Sequence, residues 1–270
     1  MTNFSGIIKK LFFKYLIWLI IVVTGSILIF MIMDFSKTIK AISKDRITQS
    51  INATETKLDN FFKPVIQQLL ITKKWGESNL LQPLKPEKLN PVFTSVLAKY
   101  KQISSMLIAN NNGCEYMLLE MGNGKWINRK TTIDSVIDFK EVLKYEWDYN
   151  TQDSLLIKTE WIEKKDYDPR IRPWFKAAIS YNKNGPAWTE PYTFATTKDP
   201  GITTSIKWFD KDSLINVVAY DLMLTDISGY TTNLQPSKNG KAFILTSDFK
   251  LIGLPAIDKY KNIDTLKQVF

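Results

Sequence analysis

Tyr167-Asp168-Pro169-Arg170-Ile171-Arg172-Pro173-Trp174-Phe175-Lys176-Ala177-Ala178 is the most informative stretch of this 270-residue chain. Pro169 and Pro173 each fix a backbone φ, so the directions of the residues around them are largely set. Arg172 and Trp174 flank the second proline. A guanidinium grips a carboxylate through two parallel hydrogen bonds, and a neighbouring indole adds an apolar wall with one N–H donor. Downstream come Ala187-Trp188-Thr189-Glu190-Pro191-Tyr192 and the apolar run Val217-Val218-Ala219-Tyr220-Asp221-Leu222. Asp221 closes that run and so sets a carboxylate beside the core, while Tyr167 and Tyr192 offer rings and hydroxyls. If Arg172 and Asp221 face one cavity, it has an anion-binding pole and a cation-binding pole, an arrangement that suits a small zwitterion. A structural reading stands beside this one: an Arg–Asp pair, with Trp and Tyr filling the core.

Working outward, short strands alternate with turns. Residues 103–109 are apolar and strand-like, and Asn110-Asn111-Asn112-Gly113 is a turn of residues that tolerate positive φ. Residues 114–120 return as a second strand, and Gly122-Asn123-Gly124 turns into 125–127. Residues 202–209 and 214–222 read as strands, 227–234 as a short helix, and 241–245 with 250–253 as another strand-turn-strand. Pro83, Pro86 and Pro91 punctuate a looser stretch before a short helix at 92–100. Residues 36–75 read as one long helix with a stripe of Ile47, Ile51, Thr54, Leu58, Phe61, Val65 and Leu69 at alternating spacings of four and three. The stripe serves either docking onto the following domain or a dimer seam, and Pro64 predicts a kink or break near residue 60. A long helix followed by an antiparallel sheet with short helices is an α+β organisation.

Residues 15–33 contain no charge and are almost wholly apolar, which is enough helix to span a bilayer core. Lys9, Lys10 and Lys14 precede the span with no acid among them, which predicts a cytoplasmic N-terminus. The far flank mixes Lys37, Lys40 and Lys44 with Asp34 and Asp45. Met31-Ile32-Met33-Asp34 offers no small-residue cleavage site, so an uncleaved anchor is expected rather than a signal peptide. The residues after 33 are then periplasmic or extracellular, and the chain is a cell (inner) membrane protein.

Composition narrows the function. The formal charge of +9 is dispersed, with acids mixed among short pairs such as Lys9-Lys10 and Lys73-Lys74, and no Arg-rich stripe or aromatic RNA-binding motif appears. Nucleic acid is therefore not an expected partner. One cysteine, Cys114, and no histidine exclude an intramolecular disulfide, a Cys/His zinc site and any His-dependent triad. No cofactor or metal is expected. Glu160, Glu163, Asp166 and Asp168 admit a hydrolase with a carboxylate pair, but they are interleaved with lysines as on a solvated face.

The Asp-Pro-Arg-x-Arg-Pro-Trp-Phe block, the Trp-x-x-Pro-Tyr block and the later apolar strand ending in Asp resemble, in order and spacing, the double Cache (dCache) sensor family of bacterial transmembrane receptors. The resemblance covers roughly residues 36–270. It implies a membrane-emergent helix leading into two stacked PAS-like modules, with ligand in the membrane-distal one. The implied organisation is a cytoplasmic N-terminus at 1–14, a transmembrane helix at 15–33, a long helix at 34–76, a distal module at 77–235 and the opening of a proximal module at 236–270. The chain thus reads as the input part of a chemoreceptor, sensor kinase or cyclase, truncated soon after the proximal module begins, homodimeric and not itself an enzyme. In the amino-acid-binding branch, Tyr167, Arg172 and Trp174 correspond to residues that hold the ligand carboxylate, and Asp221 to the one that holds the amine. Phe175 and Tyr192 complete the expected ligand-binding set, and the expected ligand is an amino acid, an amine or a small carboxylate. Phe175 stands where that branch commonly has Tyr, and Phe194 stands where a polar or acidic residue would serve better. The alternatives are a membrane-anchored protein-interaction module and the anchored hydrolase.

Overall fold

The computed structural model of the chain describes residues 2–82, 84–122, 124–134, 139–148, 157–162, 167–211, 213–234 and 236–257. The chain forms two units, residues 1–53 and 54–270. One helix, α1 (Thr2–Glu77), contributes to both.

In the first unit the apolar side chains of the span are exposed. Its stretch is long and apolar enough to cross a membrane. Thr24 and Ser26 donate their hydroxyls to the carbonyls of Ile20 and Val22 at 2.7 Å, so these polar groups are satisfied within the helix, as hydrocarbon surroundings require. Ile47 and Ile51 are also exposed.

In the second unit Phe61, Val65 and Leu69 are buried, so here the stripe docks onto the domain. The expected break at Pro64 does not occur: the helix continues through it. A proline removes one backbone donor, but the burial of Val65 and Leu69 holds the following turns in place. Outside donors also reach carbonyls of the preceding turns, Gln102 Nε2 to Phe61 O at 3.2 Å and Tyr230 Oη to Lys57 O at 2.5 Å. α1 ends where Asn79 adopts φ +59°, the left-handed turn common at helix C-termini. Gly76, one residue before the helix end, is what allows the Trp208 indole to lie against the backbone, since a Cβ there would collide with the ring.

α2 (Pro86–Lys99) starts earlier than the pattern predicts, because Pro86 at the first helical position is pre-organised for helix. Then follow β1 (Ser105–Asn110), β2 (Glu115–Gly122), β3 (Lys125–Asp134), β4 (Phe139–Asp148) and β5 (Ile157–Ile162). A 3-10 turn (Pro169–Ile171) leads into α3 (Pro173–Ser180). After these come β6 (Ala187–Trp188), β7 (Tyr192–Thr193), β8 (Pro200–Phe209), β9 (Ile215–Met223), α4 (Leu224–Thr232), β10 (Ile244–Leu245) and β11 (Leu251–Gly253). The last two pair with each other, and Ile252 joins the core beneath α4. β4 and β5 have no counterpart in the strand pattern of the sequence, where charged and aromatic residues hide the alternation.

The main sheet has nine strands in the order β5-β4-β3-β2-β1-β9-β8-β6, with β7 also pairing β8, and its paired strands run antiparallel. Each central strand splits its side chains between two cores, as the period of two demands. Met106, Ile108, Tyr116, Leu118, Val218, Tyr220 and Leu222 face α1 and α2. Leu107, Ala109, Met117, Leu119, Val217 and Ala219 face α3, with Trp174 and Phe175 packed on them. The organisation is α+β, with the helix-covered face carrying the larger core and the α3 face carrying a cavity.

Candidate ligand-binding site

A cavity opens on the α3 face of the sheet, with about 380 Å³ of unfilled space when the solvent at its mouth is counted. Five of the residues singled out in the sequence, Tyr167, Arg172, Trp174, Tyr192 and Asp221, line it together. Phe175 does not: it follows Trp174 on α3, turns into the core and packs edge-to-face on the indole. Phe194 is a cavity wall, edge-to-face with Tyr192 at 5.3 Å between ring centroids.

Local structure explains the positions. Asp168 caps the 3-10 turn by accepting from the Arg170 backbone N–H at 2.9 Å and pairs with the Arg170 guanidinium at 2.7 Å. That engagement gives Asp168 a structural role, whereas Glu163 and Asp166 and the Glu160 side chain lie outside the described residues. Arg172 is the N-cap of α3, and Pro173 starts the helix with Trp174 turned inward and almost fully buried. Arg172 itself remains partly exposed. It donates through one Nη to the Thr193 carbonyl at 3.0 Å, and its guanidinium lies 5.6 Å from the Tyr192 ring centroid.

Asp221 sits near the C-terminal end of β9, paired in register with Ser105 of β1 and Thr203 of β8. Both hydroxyls donate to its carboxylate, Ser105 at 2.6 Å and Thr203 at 2.5 Å. Thr203 thereby spends its proton on Asp221, so the 2.6 Å contact between Tyr192 Oη and Thr203 Oγ1 has Tyr192 as donor. Burial raises the Asp221 pKa to about 6, against the lowering effect of the two hydroxyls and of the more distant Arg129.

A second polar cluster escapes the sequence reading. Arg129 of β3 lines the cavity and forms a two-pronged pair with Glu115 of β2, at 2.8 and 2.9 Å. The Tyr167 hydroxyl donates to Glu115 and accepts from Arg129, each at 2.5 Å, while Arg129 also donates to Thr196. Thr131 adds a 3.2 Å bond to Glu115. Burial acts against the Arg129 charge, but the Glu115 carboxylate beside it more than compensates and holds its pKa above the ordinary value. The Tyr167 hydroxyl is pushed well above its usual range by burial. Its hydroxyl is therefore occupied, and what it offers the cavity is its ring.

Residues 100–229 match the family model described as the first PDC sensor domain of methyl-accepting chemotaxis protein-like proteins. The chemotaxis protein McpC of Bacillus subtilis is 34% identical over 99 residues, covering 37% of this chain and 15% of that protein. TlpB of the same organism is 34% identical over 93 residues, covering 34% of this chain and 13% of its own length. The chain thus spans only a small part of these relatives. Among solved structures, the sensory domain of the Campylobacter jejuni chemoreceptor Tlp3 with isoleucine bound is 13% identical, with a TM-score of 0.48, and the match covers 81% of this chain and 72% of that one. The ligand-binding domain of the Pseudomonas fluorescens chemoreceptor CtaA in complex with L-isoleucine is 18% identical, with a TM-score of 0.47, covering 80% and 71% respectively. Residues 100–229, which hold the sheet and the cavity, are thus similar to the first PDC sensor domain of methyl-accepting chemotaxis protein-like proteins.

Proposed function

We propose that the chain is the ligand-sensing input part of a bacterial chemoreceptor and that its cavity binds a small zwitterion, an amino acid or a related amine. The observation that carries this reading is one cavity lined by both a buried carboxylate, Asp221, and a guanidinium with uncommitted donors, Arg172. In the bound state Arg172 grips the ligand carboxylate and Asp221 receives the ammonium. Trp174, Tyr192 and Phe194 exclude water, which strengthens both interactions. Ser105 and Thr203 hold the Asp221 carboxylate in place before ligand arrives, so little ordering is needed on binding.

The same reading places residues 77–235 as the membrane-distal module and 236–270 as the start of a proximal one. Residues 15–33 anchor it in the cell membrane with the sensor outside and the first 14 residues in the cytoplasm, as the preceding lysines favour. The exposed Ile47 and Ile51 supply a dimer seam. No enzymatic step is assigned to these residues. Ligand acts by favouring one of two arrangements of the domain.

The test is a titration of the full chain in lipid nanodiscs with the twenty amino acids, read by tryptophan fluorescence and thermal unfolding. A stabilising amino acid whose effect vanishes in both Arg172→Ala and Asp221→Ala supports the reading. Binding that is unchanged in both variants removes the cavity from consideration as the site.

A further inference from the structure

Arg129 presents a guanidinium to the cavity wall, yet four of its five N–H donors are already committed and its charge is paired. A guanidinium has five N–H groups. Nε and one Nη bind Glu115, that same Nη reaches the Tyr167 hydroxyl, and the other Nη binds Thr196. Glu115 lies behind it, only 1% exposed, and is not part of the cavity lining. The Glu115 carboxylate is itself saturated by Arg129, Tyr167 and Thr131. The wall therefore has the donors of an arginine but no net charge.

We propose that Glu115 is a specificity-determining residue that acts through Arg129: by neutralising that guanidinium it makes the cavity refuse amino acids with a second carboxylate and accept those with uncharged side chains. This rests on the reading of the cavity as a zwitterion site. Arg172 and Asp221 already match the backbone carboxylate and ammonium of such a ligand. A further carboxylate must enter a low-dielectric space and has no unmatched cation to meet, because Glu115 occupies the Arg129 charge. A further ammonium is disfavoured for the same reason, because Asp221 is already matched by the backbone ammonium and Glu115 by Arg129. Specificity here comes from the repulsive element as much as from the attractive one. With Glu115 neutral, Arg129 becomes an unpaired buried cation beside the ligand, and the added carboxylate supplies its missing partner.

The experiment uses the full chain in nanodiscs and two isosteric pairs, L-aspartate with L-asparagine and L-glutamate with L-glutamine, together with the other neutral amino acids. The readout is the ratio of acid to amide affinity, which a merely structural role of Glu115 would not move. The wild type is expected to prefer each amide by about tenfold or more, and Glu115→Gln to shift the ratio toward the acid by at least about tenfold. Glu115→Asp keeps the charge and should keep the wild-type preference. The double variant Glu115→Gln with Arg129→Met should lose the acid preference gained by the single change. If Glu115→Gln unfolds, the wild-type ratio decides alone. Equal affinity of the wild type for acid and amide overturns the proposal, as does an unchanged ratio in a folded Glu115→Gln. If no amino acid of the panel binds the wild type, the zwitterion reading itself fails, which is a different result from binding without discrimination.

Discussion

Thr203 Oγ1 lies 2.5 Å from Asp221 Oδ1, and the two residues are register partners across β8 and β9. The sheet therefore builds the carboxylate's hydrogen-bond shell from adjacent strands: Thr203 on one side, Ser105 of β1 on the other. Thr203→Val removes one donor at nearly constant shape. The expected result is a loss of ligand affinity of about tenfold, on the scale of one charged hydrogen bond, with a still higher Asp221 pKa. Calorimetric titration of the amino acid found in the panel, at pH 7, measures the first. The pH at which affinity is half lost measures the second.

The pH dependence itself follows from the Asp221 pKa of about 6, against an ordinary value of 3.8. An ammonium needs the ionised carboxylate, so affinity should be flat above about pH 7. Below about pH 6 it should fall, approaching tenfold per unit. Stability of the ligand-free protein runs the other way. Between pH 3.8 and about 6 the folded state keeps a proton that the unfolded chain has released, so stability falls as pH rises through this window and levels off above it. Asp226, raised to about 6 mainly by burial and secondarily by Asp199, adds in the same direction. Asp221→Asn should therefore melt higher than the wild type at pH 7.5 while no longer binding. A lower melting temperature for this variant would mean that the two hydroxyl hydrogen bonds outweigh the burial penalty on the charge, against the raised pKa.

Much of this site is legible from residues alone, and the missing part has a definite cause. The proline-bracketed Arg172 and Trp174 and the alternation of Val217 to Leu222 are local patterns, and the fold preserves them. The apolar run reads directly as a strand with Asp221 at its edge of the cavity. Phe175 shows the limit: it packs in the same core as Trp174, but only the indole also reaches the cavity. Glu115 and Arg129 are invisible for another reason. They lie fourteen residues apart and become neighbours only through the β2–β3 register, which pairs Glu115 with Thr131 and Met117 with Arg129. The only local hint is that both occupy positions of the inward-facing parity of their strands. β4 and β5 are missed because their charged residues mask the alternation.

Gly201 sits on β8 under the Phe194 ring, and a Cβ at this position would collide with that ring and lie 2.7 Å from the Leu222 carbonyl oxygen. Gly201→Ala must push Phe194 into the cavity or away from the strand. The expected cost is roughly 2 kcal/mol of stability, together with a change in affinity that exceeds the one produced by Phe194→Leu. Thermal denaturation and ligand titration of both variants check this.

Tyr220 points to the opposite face of β9 from Asp221 and bonds Thr72 of α1 at 2.6 Å within the buried core. Thr72 keeps its bond to the Gln68 carbonyl when the phenol is removed. Tyr220→Phe should cost only about 1 kcal/mol in unfolding free energy. Ligand affinity at equilibrium should change by less than about twofold, since Tyr220 does not line the cavity.

Orientation and pairing can be read with single cysteines in a Cys114→Ser background. Lys238→Cys, exposed in the sensor unit, should react with a membrane-impermeant maleimide in intact cells, and Lys9→Cys only after permeabilisation. Ile47→Cys or Ile51→Cys should give an oxidised dimer. The reverse labelling pattern would invert the membrane assignment, and monomer alone at both positions would remove the seam.

The alternation along β9 has an evolutionary consequence. Asp221 faces the cavity and Val217 and Ala219 on the same side pack in the core under α3, whereas residues 218, 220 and 222 belong to the core that packs on α1 and α2. Substitutions on the α3 side can reshape the cavity and its floor while the other set stays intact, so the cavity can vary without rebuilding the core that packs on α1. The same interleaving forbids any single-residue insertion or deletion within the strand, because it would exchange the two alphabets at once. Variation in this strand is thereby channelled into substitutions on one face and length changes in the flanking turns.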